Sequence, residues 1–203
     1  MRNSIVIVGA GGHGRVVADT AVLLGYTEIL FLDDADDCCV EIAGKTNDYV
    51  KYIDKCDFFV AIGNPYIREK IIGDLEAGGA NIVSLIHPSA VIGSKVVVGN
   101  GSFIAPGAIV NTGVVIGRGV IINTASSVDH DCRIDDFCHI SVGSHLAGTV
   151  MVGKRTFVGA GSTIINNLSV CQDCVIGAGA VVVKNITECG TYIGVPTKKL
   201  EKL

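Results

Sequence analysis

Residues 116–134 read IGRGVIINTASSVDHDCRI, and Ile116, Ile122, Val128 and Ile134 recur in them at intervals of six. Extended in both directions, the interval runs without insertion. It takes in Ile92, Val98, Ile104, Val110, Ile140, Leu146, Val152, Val158, Ile164, Val170, Ile176 and Val182. The residue two before each aliphatic is small or β-branched over most of the run, as in Ser102, Ala108, Val120, Cys132, Cys138 and Ser144. The residue after it is usually Gly, Asn, Asp or another small residue. A period of six with one large apolar residue describes a short strand, a corner and the next strand. Three such units make an 18-residue coil, and coils stack through parallel hydrogen bonds at about 4.8 Å. Residues 91–183 therefore read as a left-handed parallel β-helix of about five coils. The aliphatics point inward with the small residue two before. The Gly, Asn and Asp that follow them are expected at the corners, where unusual φ values are needed.

The rest of the composition fits. In 203 residues there are 26 Gly and no Trp, and 49% are hydrophobic, so small aliphatics build the core. The formal net charge of −4 supplies no basic footprint for nucleic acid. No apolar run is long enough to span a membrane. Eight cysteines without a secretion signal suggest reduced thiols in a cytoplasmic protein. Cys171 and Cys174 form a lone CxxC, which the repeat register explains better than zinc does.

Residues 1–86 follow another rule. Ser4–Val8 is an apolar strand. Gly9, Gly11 and Gly14 then match GxGxxG before a helix near Arg15–Leu24. Strands are expected at Glu28–Leu32, Phe58–Ile62 and Ile82–Leu85, with a second helix at Tyr66–Ala77. Alternating strands and helices imply a small parallel α/β sheet. About 85 residues are too few for a full two-halved dinucleotide fold, so a half-Rossmann domain binding one nucleotide is expected. Loop amides can hold a phosphate. Asp33 and Asp34, at a strand's carboxyl end, can bind a ribose or base, or can simply be turn residues. Residues 87–203 would then form the β-helix domain and its tail.

Of five histidines, His130 stands at a corner in Val128-Asp129-His130-Asp131. Gly148 lies 18 residues on, one coil later. That pairing offers a base beside a backbone N–H able to receive a thioester oxyanion. Asp131 or Asp129 can fix the imidazole tautomer and raise its basicity. A solvated corner histidine fits the same spacing. His139 and His145 fall on successive faces and cannot converge on a metal, so no metal is expected.

These segments together resemble the bacterial sugar-nucleotide acetyltransferases of the PglD and NeuD type. They are Val8 through Gly14, Phe31 through Asp34, Ala61 through Asn64, Ile86 through Pro88, Ser127 through Cys132, and Gly194 through Pro196. The resemblance implies an acetyl-CoA-dependent N-acetyltransferase acting on a nucleotide-linked amino sugar, a UDP-4-amino-4,6-dideoxy sugar above all. It implies His130 as general base with Asp131 behind it, Asp standing where the family more often has Glu. It implies Gly11, Gly12, His13, Asp33, Asp34 and Gly63 against the sugar nucleotide, and Asn123 near the acceptor. His139, Ala160 and Ala178 would meet acetyl-CoA. The Lys198-Lys199 pair that follows the last turn can meet its phosphates or can simply be a solvated basic tail. It implies a homotrimer with acetyl-CoA between neighbouring β-helices. O-acetylation of sialic acid, a nicotinamide-binding oxidoreductase or sensor, and a non-enzymatic scaffold are the alternatives.

Overall fold

The computed structural model describes residues 2–35 and 38–201; the outermost residues of the two expected domains lie outside them. The chain divides into two compact units between Pro88 and Ser89.

The first unit is a four-stranded parallel sheet built from β1 (Ser4–Val8), β2 (Glu28–Leu32), β3 (Asp57–Val60) and β4 (Asn81–Ile82), in the order β2-β1-β3-β4. Ile5–Val8 and Phe58–Val60 are fully buried. Unbroken apolar runs are what central parallel strands covered on both faces require. Helix α1 spans Gly12–Leu23, starting three residues before its expected beginning. Gly9 and Gly14 explain that early start. A Cβ on Gly14 would lie 1.9 Å from the Gly9 carbonyl oxygen, so only glycine lets the first helical turn pack this close to the strand end. Helix α2 spans Pro65–Ala77. Asn64 Oδ1 caps it, accepting from the amides of Tyr66 (3.0 Å) and Ile67 (3.2 Å), with Pro65 in the first turn. Strand β3 ends two residues earlier than expected. The last expected strand appears as two short ones, β4 and β5 (Leu85–Ile86).

The second unit is a left-handed parallel β-helix. Its first face stacks six two-residue strands, Val91–Ile92, Ile109–Val110, Ser127–Val128, His145–Leu146, Thr163–Ile164 and Val181–Val182. The second face carries Val97–Val98 to Ser169–Val170, and the third begins at Phe103–Ile104 and includes His139–Ile140. Register between the hexad strands is 18 residues, as in Ile122↔Ile140 and Val128↔Leu146. From Ile104 to Val182 every sixth aliphatic is at most 2% exposed. The small residues two before them are buried as well, and several are hydrogen-bonded to the next coil: Ser102 Oγ donates to Gly117 O (2.8 Å) and Ser144 Oγ to Gly159 O (2.8 Å). Burial there leaves few carbonyls unsatisfied. The strand Gly190–Ile193 adds a rung beside Cys174–Ile176 outside the hexad pattern.

One expectation is corrected. The left-handed φ does not fall on the residue after each aliphatic. It falls two residues later, at every sixth position from Lys95 to Asp173 and on to Gly179, and includes Asp131 (58°) and Phe137 (59°). The glycines after the aliphatics have a different cause. A Cβ on Gly159, for instance, would meet the Ile176 carbonyl oxygen at 2.5 Å, so these corners are small because the next coil runs against them.

Candidate active site

The 18-residue register sorts the candidate residues of the β-helix onto two different corners. His130, Asp131 and Gly148 share the corner between the first and second faces. Asn123 lies at the corner between the third and first faces, where Ala160 and Ala178 stack on each other one residue further along the turn, with His139 on the strand that leads into it.

At the first of these corners the backbone turns at Asp131 in the left-handed region, a conformation that Asp tolerates better than most residues. The turn folds the carboxylate back onto its neighbour, and Asp131 Oδ2 lies 2.9 Å from His130 Nδ1. This bond raises the His130 pKa above its ordinary value, against a small cost of desolvation and with help from the Asp129 charge. With Nδ1 held by a carboxylate, the neutral ring carries its proton there and turns a basic Nε2 outward. That nitrogen lies over Gly148, where a Cβ would stand only 2.5 Å from it. The imidazole thus needs glycine one coil later. Asp129 is occupied otherwise: its carboxylate takes Asn111 Nδ2 (2.8 Å) and the His130 amide (2.8 Å) and is lowered by them. The His130 side chain remains 53% exposed, so solutes reach it.

At the other corner, Asn123 Oδ1 accepts from the Thr124 amide (2.8 Å), which directs Nδ2 to His139 Nε2 (3.0 Å). His139 also stands edge-on to Phe157, with centroids 5.1 Å apart. A residue expected near the acceptor and one expected against acetyl-CoA are therefore hydrogen-bonded to each other. His145 is on the next face, bonded to Ser127 Oγ (2.8 Å). Among the described residues no group of three His, Cys, Asp or Glu is placed to hold a metal. No helix among them is long and apolar enough to cross a membrane. Of the tail lysines, Lys199 is paired with Glu188 (2.8 Å).

In the first unit, the strand order places a topological switch point between β1 and β3, where loops 9–12 and 61–64 leave the sheet. Ligands of such sheets bind outside the carboxyl ends of the strands there. Gly11, Gly12 and Gly63 have nothing within 4 Å of an added Cβ. The fold does not demand glycine at these three, which leaves open space for a ligand to approach the backbone. A shallow cavity of about 190 Å³ is lined by Ala10, Gly11, Gly12, Arg15 and Asp33 among others. Asp33 is partly committed to the fold. Its Oδ2 takes the Ala10 amide (2.7 Å) and its Oδ1 the Ala35 amide (2.9 Å). Burial would raise its pKa, but these amides win and hold it low. Asp34 Oδ1 similarly accepts from Thr46 N (2.9 Å). Both the binding and the turn readings of this pair keep support, since each oxygen has a second lone pair.

His13, in the first turn of α1, is held neutral. Burial, with the nearby Arg68 charge, lowers its pKa to about 4. Arg68 carries no sequence signal: it sits in a helix of ordinary pattern. Yet it is fully buried and donates Nη1 to the carbonyls of Ile62 (2.6 Å) and Gly63 (2.9 Å), so it shapes the 61–64 loop.

Comparison with known proteins bears on the fold and the family. The PglD N-terminal domain family matches residues 4–75. A UDP-N-acetylbacillosamine N-acetyltransferase of Bacillus subtilis is 30% identical over 109 residues; the match spans 49% of this chain and only 49% of that curated relative. Two solved structures correspond over nearly their whole length. PerB from Caulobacter crescentus, in complex with CoA and GDP-perosamine, has a TM-score of 0.94 at 35% identity, over 98% of this chain and 97% of that one. The acetyltransferase domain of PglB from Neisseria gonorrhoeae, in complex with acetyl coenzyme A, has a TM-score of 0.94 at 38% identity, over 98% of this chain and 100% of that one. With that identity across both units, the chain belongs to the family of PglD-type bacterial sugar-nucleotide acetyltransferases.

Proposed function

We propose that this protein transfers acetyl from acetyl-CoA to the amino group of a nucleotide-linked amino sugar, with a UDP-4-amino-4,6-dideoxy sugar as the first acceptor to test. The observation that carries the reading is His130: Nδ1 on Asp131 at 2.9 Å, Nε2 over Gly148. In this mechanism the acceptor amine attacks the thioester carbonyl directly. His130 Nε2 takes the amine proton, and the Gly148 N–H receives the developing oxyanion. The C–S bond then breaks, and the imidazolium returns its proton to the CoA thiolate. Asp131 stabilises the imidazolium meanwhile. No group on the enzyme is acylated.

The first unit would hold the nucleotide-sugar through Gly11, Gly12, His13 and Gly63, with Asp33 and Asp34 offering their remaining lone pairs to ribose or base. The other β-helix corner, through Asn123, His139, Ala160 and Ala178, would serve acetyl-CoA and the acceptor. Because one chain carries the base and this second cluster on separate corners, a complete site is best made by neighbouring β-helices in a homotrimer. The relatives support the donor and acceptor classes: PglB is solved with acetyl coenzyme A, and PerB with CoA and GDP-perosamine.

The test offers acetyl-CoA with UDP-, GDP- and dTDP-linked amino sugars and reads released CoA thiol. Turnover is expected with one nucleotide-linked amine, and His130→Ala is expected to cut kcat by about 10²–10⁴. Near-wild-type turnover by His130→Ala would reject the mechanism, and turnover of free sialic acid alone would reject the acceptor.

A further inference from the structure

The expectation that the hexad register explains both cysteines of the CxxC holds only for Cys174, which points inward; Cys171 occupies a corner between the strands Ser169–Val170 and Cys174–Ile176. In the two earlier hexads with an inward cysteine, at Cys132 and Cys138, the corresponding corner residues are Asp129 and Asp135. There the thiols donate to carbonyls, at Ala147 and Gly153, both at 3.1 Å. At the third place both positions are cysteine, and the sulfurs lie 3.4 Å apart. Gln172 and Asp173 form the turn between them, with Asp173 in the left-handed region (57°). The ends of a four-residue turn are within about 7 Å at Cα, in the range a disulfide spans. Cys174 is buried and Cys171 is only half-buried.

We propose that Cys171 and Cys174 form a thiol–disulfide exchange site that accepts a low-molecular-weight disulfide such as oxidised glutathione and closes into an intramolecular bridge across the 172–173 turn. Burial, then the hydrogen bond with Cys171, pushes the Cys174 thiol up to about 12, so it keeps its proton while the more accessible Cys171 meets the oxidant. The Cys171 thiolate attacks one sulfur of the small disulfide. That S–S bond breaks, one thiolate leaves, and a mixed disulfide remains on Cys171. Cys174 then loses its proton to solvent, attacks Cys171 Sγ and expels the second thiolate. Two cysteine thiols are oxidised, and one small disulfide is reduced to two thiols. The pair lies at the corner between the second and third faces, which neither candidate cluster of the β-helix uses, so the exchange does not depend on the proposed acetyl transfer. Cys189, exposed and close enough for its charge to be felt at Cys174, is the competing partner.

The experiment incubates fully reduced, folded protein with excess oxidised glutathione, quenches with acid, alkylates the remaining thiols and maps peptides by mass spectrometry. The peptide holding both residues is expected to lose two hydrogens and both alkylation sites, in the wild type and in Cys189→Ser alike. Cys171→Ser is expected to leave Cys174 alkylatable. Persistence of both thiols, a stable glutathione adduct on Cys171, or a Cys174–Cys189 bridge would each overturn the proposal.

Discussion

The two units reach their structures by opposite routes. In the β-helix, one rule repeated every six residues sets strand, corner and core, and no single hexad is special. In the α/β unit, structure rests on residues that occur once: Gly9 and Gly14 at their close approach, Asp33 on the Ala10 amide, Asn64 at a helix cap, Arg68 under the 61–64 loop. A candidate site is therefore visible for different reasons in each. In the repeat, chemistry shows as a departure from the rule, an exposed His130 whose ring requires Gly148 one coil later. In the α/β unit it shows as glycines that the fold does not require.

The contrast can be broken at several points. The largest effect is expected at a mid-helix core position. Ile140→Ala removes a fully buried side chain between two coils and should cost about 2–5 kcal/mol in denaturant unfolding, because neighbouring coils cannot close the gap. A comparable loss on substituting Thr112, an exposed corner residue, would show that the core rule does not dominate. Gly14→Ala should cost about 3 kcal/mol, since its Cβ cannot fit 1.9 Å from the Gly9 carbonyl; Gly11→Ala, with open space, should leave stability within about 0.5 kcal/mol while weakening nucleotide-sugar binding. Equal destabilisation by the two would remove the distinction between glycines of fold and glycines of site.

Gly148→Ala should lower kcat about 100-fold, equivalent to about 2.7 kcal/mol of barrier, with little change in thermal midpoint, because the new methyl displaces an exposed imidazole rather than a core residue. The smallest expected effect is a pH shift. His130 acts as a base only when neutral, and Asp131 raises its pKa, so the acidic limb of kcat/KM should lie above the ordinary histidine range. Asp131→Asn should move that limb to lower pH while lowering the plateau rate. A limb that stays in place would detach Asp131 from the base. His13 supplies a control of opposite sign: its depressed pKa favours the folded state above about pH 6.5, and that contribution should fade as pH drops toward 4.

Much of this was legible beforehand. The sixteen aliphatics announce the β-helix, since no other fold needs an apolar residue every sixth place over ninety residues. His130 and Gly148 are related by simple counting of one coil. The left-handed φ positions are not legible from the small residues after each aliphatic, because those report contact with the next coil instead. Arg68 is not legible in the sequence, because a buried cation held by backbone carbonyls leaves no mark in a pattern of side-chain types.

The sequence by itself determined the period, and with it the coil length, the inward faces and the vertical stacking of residues 18 apart. These follow from local geometry repeated, which a one-dimensional pattern records completely. Only the tertiary structure decided what the stacked residues do to one another. It turned Asp131 onto His130 and joined Asn123 to His139. It also committed both oxygens of Asp33 to the glycine loop and its flank. Each of these depends on the direction of a side chain at a particular turn, which spacing alone does not carry.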